Sequence, residues 1–411
     1  MIRGNGRKLG FAGGLVASVA LLAMLAGCGG GGGGSGSGSG STPARVNNAQ
    51  PIQVNLGPTN DTANELYTNV TICVPGTSNC QTIQNVQVDT GSEGLRILSS
   101  QLMLALPQVA DAGRNPVGNC VQFADGSYIW GPIVTADVEM AGEKASRVPV
   151  QVISPANFPG APKSCNTNNG AADNTVEALG ANAIIGLGVF RHDCGAACAP
   201  GASSPPNIYY SCPASGCSVT TLALTNQLQN PVWLFPQDNN GIMISLPSIP
   251  DTGAPTVSGT MYFGIGTQSN NSLGSATVYT TDANGNFTTV FKGTSYSSSF
   301  IDSGSNGIFF LSSSTIGLPQ CKNSTGFSCP SSTVAYTATN QGANGTSGTV
   351  NFSIANADNL FNSTNSAFND VGGPDTGQFD WGLPFFFGRN LFVAINTQNT
   401  PAGPGPYWAY Q

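Results

Sequence analysis

Apolar and polar positions alternate over short stretches along most of this chain, with β-branched and aromatic residues at the apolar positions. This period of two predicts half-buried strands at Tyr67 to Val74, Ile83 to Val88, Gly131 to Met140, Arg147 to Ile153, Ile242 to Leu246, Thr260 to Ile265, Ala276 to Thr281 and Phe287 to Phe291. Asn, Gly, Pro and Asp separate them, as turns require. Helical periodicity is scarce; Thr221 to Gln229 and Ser313 to Ile316 carry most of it. The pattern predicts an all-β protein.

The first residues follow another rule. Arg3, Arg7 and Lys8 precede an apolar core from Leu9 to Met24, then Leu25-Ala26-Gly27-Cys28. A basic start, an apolar core and small residues before a cysteine form a signal peptide over 1–27, with Cys28 as the lipidation site. The alternative is a membrane-spanning anchor, since the run approaches the length of about 18 residues that spanning requires. Residues 28–46 hold the lipidated Cys28 and a Gly/Ser-rich tether with few core-forming residues. The rest divides into an N-terminal β lobe over 47–250 and a C-terminal β lobe over 251–411. The resemblance of the start to bacterial lipoproteins implies the cell envelope and a membrane reached through a lipid. Gly29 after the cysteine, where Asp would mark inner-membrane retention, points to the outer membrane.

Charge narrows the functions. Only 8% of residues are charged and the formal net charge is −7, so no basic stripe is present to replace the counterions of nucleic acid. The polar surface rests on Ser, Thr, Asn and Gln. Setting Cys28 aside leaves an even set of the eleven cysteines, which in an exported chain predicts disulfides. Short separations favour Cys73 with Cys80, Cys194 with Cys198, Cys212 with Cys217 and Cys321 with Cys329, leaving Cys120 for Cys165. Sequence alone does not choose among the many pairings. These spacings are not Cys-x-x-Cys and the chain has one histidine, His192, so neither a zinc centre nor a histidine triad is favoured; no metal or cofactor is expected.

Two short words carry the candidate chemistry. Asp89-Thr90-Gly91-Ser92 and Asp302-Ser303-Gly304-Ser305 each follow a β-rich approach and precede an apolar run, Gly94 to Leu98 and Gly307 to Leu311. As a single copy either word is an ordinary turn. Doubled, with matched flanks, they read as one half-site used twice. If two such loops meet, Gly91 and Gly304 allow close backbone approach, and the hydroxyls of Thr90, Ser92, Ser303 and Ser305 hold the loops and carboxylates. Two carboxylates within hydrogen-bond distance share a proton, so one acts as base and the other as acid.

With these words stand Ala183-Ile184-Ile185-Gly186-Leu187-Gly188 and Trp381-Gly382-Leu383-Pro384-Phe385-Phe386-Phe387-Gly388-Arg389, an apolar-apolar-Gly segment once per half. In order and spacing from about Tyr67 to Ile395, the chain resembles the pepsin-like (A1-type) aspartic proteases, as a bacterial lipoprotein branch. The resemblance implies a bilobal fold with a cleft between the lobes, Asp89 and Asp302 as the catalytic pair, and a flap at Phe123, Asp125, Gly126 and Ser127. Phe123 stands where the family usually has tyrosine, with Tyr128 or Trp130 as substitutes for the missing hydroxyl. Glu93 replaces a small hydroxyl residue and Arg96 a tryptophan; the two are expected to pair with each other. The usual basic propeptide is absent.

The leading expectation is an envelope-anchored, monomeric aspartic endopeptidase acting on polypeptide. The runner-up is a non-catalytic binding or surface-interaction lipoprotein that holds an extended peptide ligand in the same fold.

Overall fold

The computed structural model describes residues 47–411, so the expected signal peptide over 1–27 and the expected lipidated Cys28 and tether over 28–46 lie outside the described residues. The strands are β1 (Ala49–Val54), β2 (Leu66–Cys73), β3 (Cys80–Asp89), β4 (Glu93–Leu98), β5 (Val117–Gln122), β6 (Tyr128–Met140), β7 (Glu143–Ile153), β8 (Ala183–Leu187), β9 (Tyr209–Ser211), β10 (Ser218–Val219), β11 (Gly241–Leu246) and β12 (Val257–Phe263). Then follow β13 (Thr277–Thr280), β14 (Phe287–Phe291), β15 (Thr294–Ile301), β16 (Ile308–Phe310), β17 (Val334–Gln341), β18 (Ser347–Ile354), β19 (Gly372–Gly373), β20 (Phe379–Trp381), β21 (Arg389–Ala394), β22 (Asn399–Thr400), β23 (Gly403–Pro404) and β24 (Tyr407–Tyr410). Three single-turn helices, α1 (Val176–Leu179), α2 (Ser313–Ile316) and α3 (Ala357–Leu360), complete the regular α structure. The all-β class read from the alternation is the observed one.

One sheet runs β10-β9-β5-β6-β7-β4-β8-β3-β2-β1-β12-β11-β21-β24-β13 and a second runs β18-β17-β14-β15-β20-β16-β19. Residue 250 falls between β11 and β12, which pair with each other; β12 also pairs with β1, and β11 with β21. Strands from both ends of the chain therefore build one continuous floor under the two lobes.

The repeat seen in the words is also a repeat of topology. In the first half β3 runs parallel to β8 and β4 antiparallel to it. In the second, β15 runs parallel to β20 and β16 antiparallel to it. Each Asp word is the loop between the two strands that flank one buried strand. Val86, Val88, Leu95, Ile97, Ile185 and Leu187 from the first half and Ile301, Ile308, Phe310, Phe379 and Trp381 from the second pack into one continuous apolar core. Fully burying side chains of this size contributes about 1.5–3 kcal/mol each, which is what keeps the two loops in place.

The helical expectation at Thr221 to Gln229 does not hold. Only Leu224–Asn226 makes a 3-10 turn. The Gln227 amide donates to Leu222 O and Gly195 O, and this side-chain bonding replaces helical hydrogen bonds. The expectation at Ser313 to Ile316 holds: the Ser312 hydroxyl accepts from the Thr315 N–H, and Gly317 ends the turn in the left-handed region.

Among the described residues, four disulfides pair as the short separations favoured, Cys73–Cys80, Cys194–Cys198, Cys212–Cys217 and Cys321–Cys329, and the two cysteines left over form Cys120–Cys165.

Candidate active site

Asp89 ends β3 and Asp302 follows β15, and both carboxyls are fully buried. The loops face each other so closely that a Cβ on Gly91 would stand 2.7 Å from the Asp302 carboxyl carbon, and one on Gly304 2.8 Å from Asp89 Oδ1. Any side chain there would push the pair apart, so these two glycines are required by approach rather than by turn geometry.

Four hydrogen bonds lock the loops reciprocally. The Thr90 hydroxyl donates to Ile301 O at 3.0 Å and accepts from Ser303 N–H at 2.9 Å. The Ser303 hydroxyl donates to Val88 O at 2.7 Å and accepts from Thr90 N–H at 3.2 Å. Within each word the glycine N–H binds its own aspartate, Gly91 to Asp89 Oδ1 and Gly304 to Asp302 Oδ1, both at 2.7 Å. Ser92 donates to Asp89 Oδ2, and Ser305 donates to Asp302 Oδ2 at 2.9 Å.

Asp89 and Asp302 are hydrogen-bonded to one another. Burial, then the charge of Asp302, holds the Asp89 carboxyl well above the usual carboxylate range. Burial also raises Asp302, but the bond from Asp89 and the donors Gly304, Ser305 and Gly91 act to lower it. Both carboxyls are thus held above the usual range, and the pair shares a proton in steps that belong to neither residue alone. A base and an acid from one residue type is what peptide hydrolysis by an activated water needs.

Behind the first word lies a buried polar cluster. The Glu93 carboxyl is pushed up to about 8, mainly by burial, while Phe190 N–H donates to its Oε1 at 3.1 Å. The expected partner of Arg96 was Glu93; its ion pair is instead with Asp193, at 3.7 Å and out of solvent. Asp193 sits at about 6, raised by burial against the opposing pull of Arg96 and of donors from Tyr209 and Asn119. His192-Asp193-Cys194 is a polar stretch just after an apolar strand, which by itself reads as a plain surface loop. The loop instead folds inward, with Asp193 N–H donating to Leu228 O, and His192 is half-buried against Trp233.

The predicted flap is the hairpin between β5 and β6. Phe123 N–H donates to Ser127 O and Gly126 N–H to Phe123 O, closing the turn. Phe123 is buried with Leu98, Ile129, Ile153, Leu179 and Ile184, whereas Asp125 is exposed. The hairpin is strapped on two sides. β9 pairs with β5, and the loop following β7 reaches back through Cys120–Cys165 and through a bond from Ser127 Oγ to Asp173 Oδ2 at 2.7 Å. Trp130 does not supply the missing hydroxyl's bond, since its ring N–H donates to Pro159 O. A hollow of about 240 Å³ is lined by Tyr128, Trp130, Pro155 and Phe158, and neither Asp89 nor Asp302 lines it. Among the described residues, one group has metal-ligand spacing, Cys321, Cys329 and Asp358, but both sulfurs are in a disulfide.

A carboxylate that the motif reading passed over is Asp380, two residues before Gly382. Ser305 Oγ lies 2.6 Å from its Oδ2. The signal was present: the aligned position of the first half, Ile184, is apolar.

In sequence, none of the curated proteins matches this chain. In three dimensions it is similar to the crystal structure of aspartic proteinase from Irpex lacteus, with a TM-score of 0.50 at 15% identity, covering 88% of this chain and 96% of that one. At that identity the likeness shows the fold, which is bilobal and pepsin-like. Residues 44–410 match a family model described as "Protein of unknown function (DUF3443)", and over that span, nearly the whole chain, the protein belongs to the DUF3443 family.

Proposed function

We propose that this protein is an envelope-anchored aspartic endopeptidase, in which one carboxyl of the Asp89/Asp302 pair takes the proton of a bound water while the other, protonated, donates to the scissile carbonyl. The observation that carries the reading is the hydrogen-bonded carboxyl pair held by reciprocal grips from opposite halves of the chain. Burying two carboxyls side by side costs several kcal/mol, and an apolar pair of similar shape would stabilise the fold better. Chemistry is the use that repays such an arrangement. Substrate would enter as an extended polypeptide, adding backbone hydrogen bonds as a strand does. The enzyme would act as a monomer without metal or organic cofactor, tethered through Cys28 to the outer membrane.

A second reading has its own observation. Neither carboxyl exposes surface, and Phe123 is packed into an apolar cluster, which suits a two-lobed protein that holds an extended peptide and performs no chemistry.

Incubation with unfolded proteins from acid to neutral pH separates the readings, with Asp89→Asn and Asp302→Asn as controls and pepstatin as inhibitor. The enzyme reading expects pepstatin-sensitive cleavage lost in both variants. Cleavage that survives both substitutions would overturn it, and pepstatin binding without cleavage would favour the second reading.

A further inference from the structure

The Ser305 hydroxyl stands between two buried carboxyls, 2.9 Å from Asp302 Oδ2 and 2.6 Å from Asp380 Oδ2. A serine hydroxyl has one proton and two lone pairs. It can donate to one of these oxygens, so for both contacts to be hydrogen bonds one carboxyl must present a proton to it. The link between Asp89 and Asp302 needs a carboxyl proton as well. Three carboxyls joined by two links therefore call for two carboxyl protons.

The first half of the site has no such extension. Trp381 is opposite Ile301 as Ile185 is opposite Val88, so Asp380 occupies the place that Ile184 holds behind Ser92. Ile184 packs in the apolar cluster around Phe123 and offers Ser92 nothing. On β20, Asp380 is opposite Phe300 of β15 and Phe309 of β16, neither of which titrates. Through Ser305, Asp380 reaches Asp302 and, beyond it, Asp89; the buried Glu65 is also tied to the second word, its Oε2 accepting from the Gln87 amide, which donates to Gly304 O at 3.4 Å as well.

We propose that Asp380 is a positioning residue of the carboxyl pair: through Ser305 it makes the site a proton-sharing set of three carboxyls, with the third attached to Asp302. Its contribution to catalysis rests on the peptidase reading, whereas the sharing of protons does not. Because Ser305 donates most strongly where acceptor charge is greatest, the proton content of Asp380 decides how firmly Asp302 is held when ionised. A shared system of this kind titrates in steps that belong to the set and to no single residue.

The test reads protons directly and needs no substrate. Side-chain carboxyl carbons of aspartate are labelled with ¹³C in the full protein, and their NMR shifts are followed from acid to neutral pH in the parent, Asp380→Asn, Ser305→Ala and the double variant. Asp380→Asn takes one ionisable carboxyl out of the set, so that fewer negative charges oppose loss of the pair's last proton, and the upper step of the Asp89/Asp302 pair is expected to fall by about one pH unit. In the Ser305→Ala background the same substitution is expected to move that step by less than half as much, since the connecting hydroxyl is gone. Titration of the pair left unmoved by Asp380→Asn in a natively folded variant would overturn the proposal, as would equal shifts with and without Ser305. Should Asp380→Asn fail to fold, Ser305→Ala alone decides: the Asp380 resonance must lose its step in common with the pair. Absence of peptidase activity would leave each of these readouts in place and would count only against the enzyme reading.

Discussion

The two half-sites share a grip and differ in what stands behind it. Behind Asp89, position 96 is a buried arginine paired with Asp193. At the corresponding place behind Asp302 stands Phe309, packed with Phe327, Phe361 and Phe368. One buttress is electrostatic and the other aromatic, yet Thr90 and Ser303 make the same pair of bonds across the loops. The contacts between the loops therefore fix the geometry of the carboxyls, and the material behind each loop sets its stability and its response to pH.

The largest expected effect tests the equality of the two halves. On the peptidase reading, Asp89→Asn and Asp302→Asn should each lower the rate of cleavage by about 10³-fold, within the usual range for losing an acid–base group. A variant that retains most of the rate would make the site one-sided. Next in size is the contrast between buttresses, read by urea denaturation. Arg96→Leu leaves Asp193 buried without its cation and should cost about 3–5 kcal/mol, whereas Phe309→Leu should cost about 1 kcal/mol. Equal losses would show that the Arg96 pair is not the support it is taken for.

The grips should respond alike. Thr90→Val and Ser303→Ala each strand a buried donor and a buried acceptor, and each should cost about 2–4 kcal/mol in thermal or urea unfolding. Smallest is the pH effect of Glu93. Its folded value of about 8 lies above the unfolded value of 4.5, so the folded state binds more protons between those limits and stability falls as pH rises through them. Glu93→Gln should flatten that fall by about 1–2 kcal/mol between pH 5 and pH 8, less than the bare shift implies because Arg96 and Asp193 readjust. An unchanged slope would mean that another buried acid governs the window, with Glu143 at about 7 and Asp370 at about 6 the next in line.

Much of this was legible in sequence because strands announce themselves locally. Alternation placed β2, β3, β6, β7 and β11 within a few residues, and the doubled Asp words marked the loops that meet. What stayed hidden depends on contacts between distant segments. Nothing near Arg96 in sequence says that its partner is Asp193 rather than Glu93, since that choice is made where the loop after β8 turns inward. Asp380 was legible in principle, by laying the two halves over one another and asking why one apolar place had become a carboxyl. The strapping of the flap could not be read from its own residues, because β9 and Asp173 arrive from far along the chain.

The grip also has a consequence in time. Its four bonds join residues 211 to 215 positions apart, and contacts of such sequence separation are among the slowest to form. Until the second word has been made and folded against the first, Asp89 has no partner with which to share a proton. A chain still being synthesised, or one that has unfolded in part, holds two unremarkable turns and no paired carboxyls. The distance along the chain thus serves as a safeguard, arming the site only in a finished molecule.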